Sequence, residues 1–318
     1  MIRRWLILIC LFIPVQNCTL YAGDNGDNDK EKYVVSFLFA FPEKPIRDLP
    51  LSAPQALAID QEGHVFVVDT GNSRLLKFDK QGNFVNAIGS FGWEREQFDR
   101  PTDITAKTGL DLFVADFNNE RIERYDLKLN YLSTFRSEET VQNSLRFGFP
   151  SGVDISRHGE LFICDNENDR ILKLNTTGSP DLSFGDFNWG DGQLEHPVRV
   201  EVSRKDQVYV SDQGLNQIFV FDYYGNYISR FGQEILNNPT GLNWSIDNRL
   251  YVADSGNQRV VAFNARHLPI HMWGQEGDKF GAFSNPVDVA TFDNQVYVLD
   301  SSNNRIQVFK LGKRENHK

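Results

Sequence analysis

The chain has 318 residues, with 43 acidic and 33 basic side chains and a formal charge of −10. A composition 40% hydrophobic and 24% charged can bury a core, so disorder throughout is excluded, and the negative balance argues against a phosphate-binding surface. Three cysteines exclude a disulfide-rich scaffold, and 25 phenylalanines against two methionines point to strands rather than a helical bundle.

The chain opens on Arg3 and Arg4, followed by an apolar run from Trp5 to Val15. At ~1.5 Å per helical residue this run is too short for a bilayer core of ~30 Å, and it fits a secretory signal over residues 1–22. Two processing sites compete. Ala22 offers a small residue before Gly23, whereas Val15-Gln16-Asn17-Cys18 resembles a bacterial lipobox with Cys18 as lipid acceptor, departing from it at Asn17. Residues 23–32 are polar and read as a linker. Removing 1–22 leaves 31 basic against 43 acidic side chains, a balance of −12. The expected location is extracytoplasmic: periplasmic, secreted or lipid-anchored to the envelope, with a lipid as the sole membrane contact.

From residue 54 onward the chain repeats. Pro54, Pro101, Pro150, Pro197, Pro239 and Pro286 each follow a large apolar residue three positions earlier: Leu51, Phe98, Phe147, Leu194, Leu236 and Phe283. After each proline comes a short strand, then a second strand ending in Asp, such as Leu250–Asp254 or Val296–Asp300. That Asp opens an Asp-x-x-Asn-x-Arg motif: Asp69/Asn72/Arg74, Asp116/Asn119/Arg121, Asp165/Asn168/Arg170, Asp254/Asn257/Arg259 and Asp300/Asn303/Arg305. In the fourth copy Asp212 is followed instead by Leu215 and Gln217. A third strand, a Gly or Asn turn and a fourth strand closing on an aromatic-Gly pair complete the unit. Four short strands in ~40–50 residues, repeated six times, predict the blades of a propeller, each too thin to hide both faces alone. The sixth copy lacks a fourth strand and passes into a polar tail at 313–318. The orphan segment 33–41 is therefore expected to supply that strand and close a ring spanning 33–312, covering a sheet edge.

These motifs carry a resemblance. The Phe-x-x-Pro step at Phe98–Pro101, Phe147–Pro150 and Phe283–Pro286, the strand running into Asp, and Asp-x-x-Asn-x-Arg resemble the NHL-repeat family of six-bladed β-propellers over essentially the whole chain after the signal. The resemblance implies an all-β ring of four-stranded blades. It leaves activity open, because propellers host unrelated functions. The RNA-binding branch of the family uses a basic face, which a balance of −12 makes a poor match. The peptide-amidating lyases of similar fold need inner-face histidines for zinc, and the inner-strand positions here carry none.

Repetition assigns the motif a structural role. No active site needs five copies of one acid and one base, so Asp and Asn are expected to bond amides in the turn and Arg to pair with a carboxylate. Function is sought where the repeats disagree. Two residues after each proline stand Ala56, Asp103, Gly152, Arg199, Gly241 and Asp288; two further on stand Ala58, Thr105, Asp154, Glu201, Asn243 and Ala290. Strand alternation turns both sets to one side, so Asp103, Asp154, Arg199, Glu201, Asn243 and Asp288 are expected at the channel mouth as a ligand site. The carboxylates Asp103, Asp154, Glu201 and Asp288 suit a hard cation such as Ca²⁺, and a comparable set serves metal-dependent lactonases of the gluconolactonase-like propellers. The plainer alternative is a polar channel in which Arg199 neutralises its neighbours.

Cys164 falls in a slot held elsewhere by Val68, Ala115, Ser211, Ala253 and Leu299, so it is expected to be a buried packing residue. Tyr223, Tyr224 and Tyr227 suggest a small contact patch, and the broken motif and Arg199 mark the fourth blade for specialisation. The reading that follows is a monomeric binding or scaffold module at the cell envelope, engaging a protein or small ligand and not nucleic acid. The alternative is a Ca²⁺-dependent hydrolase.

Overall fold

The computed structural model describes residues 33–137, 145–187 and 190–313. The signal segment, Cys18, the 23–32 linker and residues 314–318 lie outside the described residues.

Six four-stranded antiparallel sheets stand around a central channel. The first blade shows the pattern: Ala56–Ile59 lines the channel, followed outward by Val65–Asp69, Arg74–Phe78 and Phe84–Ile88. The two middle strands are buried on both faces, which is why they read as β-branched and aromatic runs without alternation, while the outermost strand is half exposed. The core is six slabs, one between each pair of neighbouring blades. Ala56, Phe66 and Val68 of the first blade meet Ile104, Leu112 and Tyr125 of the second, and the same arrangement recurs around the ring.

The outer hairpins share one device. The side-chain oxygen of Asp79, Asp126, Asn175, Asp222 or Asn264 accepts the amides two and four residues later, which fixes each turn by a local Asx bond.

The ring closes as expected. Tyr33–Phe41 pairs antiparallel with Arg305–Lys313, setting Tyr33 opposite Lys313 and Phe41 opposite Ile306. The register shifts between Phe37 and Phe39. A one-residue shift turns following side chains to the other face. Val35 and Phe37 therefore pack between the fifth and sixth blades, while Phe39 and Phe41 pack between the sixth and first. One strand thus serves both cores at the closure. The last strand includes Lys313, and Leu311 within it is buried.

Candidate functional site in the central channel

The innermost strand of each blade has no strand partner on its channel side. Its inward amides and carbonyls need other partners, and side chains from neighbouring blades supply them. Asp103 Oδ2 accepts the Val153 amide at 2.8 Å, and Asp154 Oδ2 accepts the Val202 amide at 2.6 Å. Glu201 Oε1 accepts the Trp244 amide at 2.9 Å, and Asp288 Oδ2 accepts the Leu57 amide at 2.8 Å. The Thr291 hydroxyl donates to Asn243 Oδ1 at 2.6 Å. Each of these five bonds crosses from one blade to the next.

Two cations complete the set. Arg199 of the fourth blade reaches across the channel. Its Nη1 donates to the Ser151 carbonyl of the third blade, and its Nη2 to Gln55 O of the first at 2.7 Å and Thr102 O of the second at 2.9 Å. Its Nε lies 3.2 Å from Asp103 Oδ1. Arg199 therefore spans the seam between the first and second blades, where Ala56 and Ala58 offer no polar atom. Lys107 of the second blade places its Nζ 2.5 Å from Asp154 Oδ2, 2.7 Å from Glu201 Oε2 and 3.1 Å from the Val202 carbonyl.

The alternation of large and small residues two after each proline has a steric cause. A Cβ on Gly152 would lie 2.8 Å from the Val198 carbonyl oxygen, and one on Gly241 would lie 2.1 Å from Asp288 Oδ1. At the level two residues after the prolines the channel holds Asp103, Arg199 and Asp288, and the blades between them carry Ala or Gly.

All six expected channel residues line one cavity of about 70 Å³, together with Lys107, Thr105 and Thr291. Small-molecule sites usually enclose ~300–1,000 Å³; this one has room for a few waters. Burial pushes the carboxyls of Asp103 and Glu201 up to about 7 and that of Asp288 to about 6, against the pull of Arg199 on the two aspartates and of Lys107 on Glu201. The Lys107 side chain is 32% exposed along its stem, and Asp154 and Glu201 outweigh the desolvation of its ammonium and hold its pKa above the ordinary lysine value. Among the described residues no three His, Cys, Asp or Glu side chains are grouped to hold a metal ion. The four carboxylates lie as two pairs at two depths, Asp103 and Asp288 facing Arg199, Asp154 and Glu201 facing Lys107.

Sequence reasoning missed Lys107, although the repeats mark it. The sixth position after each proline holds Asp60, Lys107, Ser156, Ser203, Ser245 and Phe292. Asp60 and the three serines accept amides of the turn that follows. In the second blade Thr108 takes over that task, and Lys107 is left to enter the channel.

On the rim, the five Asp-x-x-Asn-x-Arg copies adopt one geometry. The Oδ1 atoms of Asp69, Asp116, Asp165, Asp254 and Asp300 accept the amides of Ser52, Asp99, Gly148, Asn237 and Ser284. These amide partners lie in the loop entering the blade and not in the turn itself. The asparagines also depart from expectation, because none of the five side chains bonds a turn amide. Asn72, Asn119, Asn168, Asn257 and Asn303 each donate Nδ2 to the Oδ2 of their own Asp, at 2.8, 2.7, 2.9, 2.9 and 2.8 Å. The physical reason is supply and demand. Backbone carbonyls already close the turns, Thr70 O taking the Ser73 amide and Asp165 O the Asn168 amide, while the carboxylate offers only acceptors and needs donors. The same Nδ2 of Asn72, Asn119 and Asn303 also reaches the entry-loop carbonyls of Pro50, Gly92 and Gly277.

The arginines pair as expected, each with the Asp of its own blade. Arg74, Arg121, Arg170, Arg259 and Arg305 donate Nε to that Oδ2 at 2.6, 2.8, 2.8, 2.7 and 2.8 Å. Each guanidinium then binds carbonyls of the entry loop, as Arg170 does at Arg146 and Arg305 at Asp278, Lys279 and Ala282. In the fourth blade Asp212 keeps its role without Asn or Arg, accepting the amides of Glu195, His196 and Leu215.

A family model described as a 6-bladed β-propeller matches residues 48–175, and one for the NHL repeat matches residues 283–309. The chain is a six-bladed β-propeller whose sixth blade matches the NHL repeat. Over 131 residues it is 29% identical to Protein brain tumor of Drosophila melanogaster, covering 41% of this chain and 13% of that protein. It is 25% identical over 199 residues to human NHL repeat-containing protein 3, covering 59% of this chain and 54% of the relative. The propeller therefore spans only part of the length of both. Among solved structures, a streptogramin B lyase superposes with a TM-score of 0.60 at 12% identity, covering 88% of this chain and 98% of that one; this likeness concerns the fold alone.

Two further expectations meet the propeller differently. Cys164 is fully buried between the third and fourth blades, where burial pushes its thiol pKa well up, so it is a packing residue. The three tyrosines do not form a patch. Tyr223 and Tyr227 pack against the core between the third and fourth blades, Tyr223 beneath Lys173 at 4.4 Å, and of the three only Tyr224 is exposed.

Proposed function

We propose that this NHL propeller is an exported binding module at the cell envelope, whose protein partner engages the face formed by the blade-entry loops and the motif turns. Export rests on Arg3, Arg4 and the apolar run to Val15, with Cys18 as the alternative point of lipid attachment.

One observation carries the binding reading. Three consecutive blade-entry loops present large aromatics to solvent on one face: Phe91 (68% exposed) and Trp93 (70%), then Phe149, then Phe187 (77%). Phe149 lies against Phe117, and Arg100 stands 4.3 Å over the Phe117 ring. Exposed aromatics with arginine are what protein interfaces enrich. The channel, by contrast, spends its charged groups on holding blades together. The fourth blade, marked by sequence for specialisation, contributes Arg199 inward and Phe187 at its entrance to this arc.

The test is affinity capture from envelope extract with wild type, with Trp93→Glu/Phe149→Glu, and with Leu110→Glu/Ile246→Glu on the opposite face. Proteins held by wild type and by the opposite-face variant, and lost with Trp93→Glu/Phe149→Glu, are expected. Equal retention by all three chains, or none by wild type, overturns the reading.

A further inference from the structure

The Lys107 ammonium sits in a triangle of oxygens in the channel. Its three oxygen neighbours, Asp154 Oδ2, Glu201 Oε2 and the Val202 carbonyl, are two carboxylates and a backbone carbonyl, the ligand types that hard divalent cations take. Asp154 and Glu201 are both buried. Neither depends on Lys107 for its position. Asp154 Oδ1 is held by the Thr105 hydroxyl at 2.8 Å and its Oδ2 also accepts the Val202 amide. Glu201 is held through Oε1 by the Trp244 amide. The oxygen triangle is thus built by the third, fourth and fifth blades with a neighbour from the second, and the lysine is threaded into it from a turn whose capping role Thr108 has assumed.

We infer that Lys107 is the tethered occupant of a latent divalent-cation site formed by Asp154, Glu201 and Val202 O, and that removing its ammonium opens this site to Ca²⁺. The native chain then carries its channel cation as a side chain and needs none from solution. Two buried carboxylates left facing one another destabilise the ring. A dication placed between them restores the balance and completes its shell with water in the space vacated by the lysine stem. Ca²⁺ is favoured over Mg²⁺, because a few protein oxygens in flexible geometry suit its longer bonds and larger coordination number, whereas Mg²⁺ demands a near-ideal octahedron.

The experiment follows thermal unfolding at pH 7.5 of wild type, Lys107→Ala and Lys107→Ala/Glu201→Gln, each with EDTA and with 10 mM CaCl₂ or MgCl₂. Wild type is expected to melt at one temperature in all three. Lys107→Ala is expected to melt lower in EDTA and to rise by about 3 °C or more with Ca²⁺, as for a weak site filled at millimolar cation, and by less with Mg²⁺. The double variant, with one carboxylate left, is expected to lose the response. Lys107→Ser, which leaves an oxygen in the hole, repeats the test if the alanine variant does not fold; if neither folds, soluble yield on refolding with and without CaCl₂ is read instead. A Ca²⁺-dependent rise in wild type overturns the inference. So does a Lys107 variant whose melting or refolding is indifferent to Ca²⁺. The outcome is independent of the capture experiment, which probes another face.

Discussion

The motif turns on the rim and the innermost strands of the channel both set carboxylates against a cation, over different spans of chain. On the rim, Asp254 meets Arg259 five residues away, and the same pair recurs in five blades. In the channel, Lys107 reaches Asp154 47 residues on, and Arg199 reaches the Gln55 carbonyl 144 residues back. Rim bonds fasten a loop to its own blade. Channel bonds fasten blades to one another and occur once each. Difference between repeats was expected to mark function. Here it marks the places where a ring of similar units needs unlike parts: a plug too large for six copies to share, and staples that must point one way round.

The comparison breaks hardest at closure. Deleting residues 33–41 removes a strand that serves two inter-blade cores, and the expected result is loss of cooperative unfolding followed by circular dichroism; a sharp transition near that of the full chain contradicts it. Next comes a direct contest between channel and rim. Asp154→Ala leaves Lys107 with Glu201 as its one carboxylate and frees the buried Val202 amide and Thr105 hydroxyl, for an expected loss of about 3–5 kcal/mol in urea unfolding. Asp254→Ala breaks one copy of the repeated turn within a single blade and joins no second blade, for an expected loss of about 1–3 kcal/mol. A larger loss at the rim would reverse the order argued from span.

Stability also responds to pH. Asp103, Glu201 and Asp288 have folded-state pKa values raised to about 7, 7 and 6, above the ~4 of unfolded carboxylates. Over that interval the folded state binds more protons than the unfolded one, so these groups make stability fall as pH rises from about 4 to about 7. The melting temperature of Asp288→Asn, which keeps one acceptor and drops the charge, is expected to decline less over that interval than wild type. An equal or steeper decline would remove Asp288 from this account.

Much of the fold was legible because a blade is a local object. Proline spacing, strands ending in Asp and Asx turns depend on neighbours within ~50 residues, and six phased copies average out ambiguity. The closing strand was legible by subtraction, since Tyr33–Phe41 had no partner and the last blade lacked one. The six inward positions followed from strand alternation alone. Alternation gives a side but no partner, so Asp103 and Asp154 were placed in one acidic cluster, whereas they belong to separate pairs at separate depths. The motif likewise announced a turn without saying which donor meets which acceptor. Asn72 and its four counterparts were assigned to turn amides, whereas backbone carbonyls serve those and the asparagines serve the carboxylate. Tyr223 and Tyr227 looked like surface because turn proximity does not tell which side of a hairpin packs on the next blade.

What the sequence determined by itself is therefore the unit, its number and its phase. What the tertiary structure decided is which charge meets which across the channel, including Lys107, whose role follows from Thr108 capping the turn in its stead. The physical reason is distance: bonds within a blade are set by local spacing, whereas bonds across the ring depend on how six twisted sheets converge on one axis.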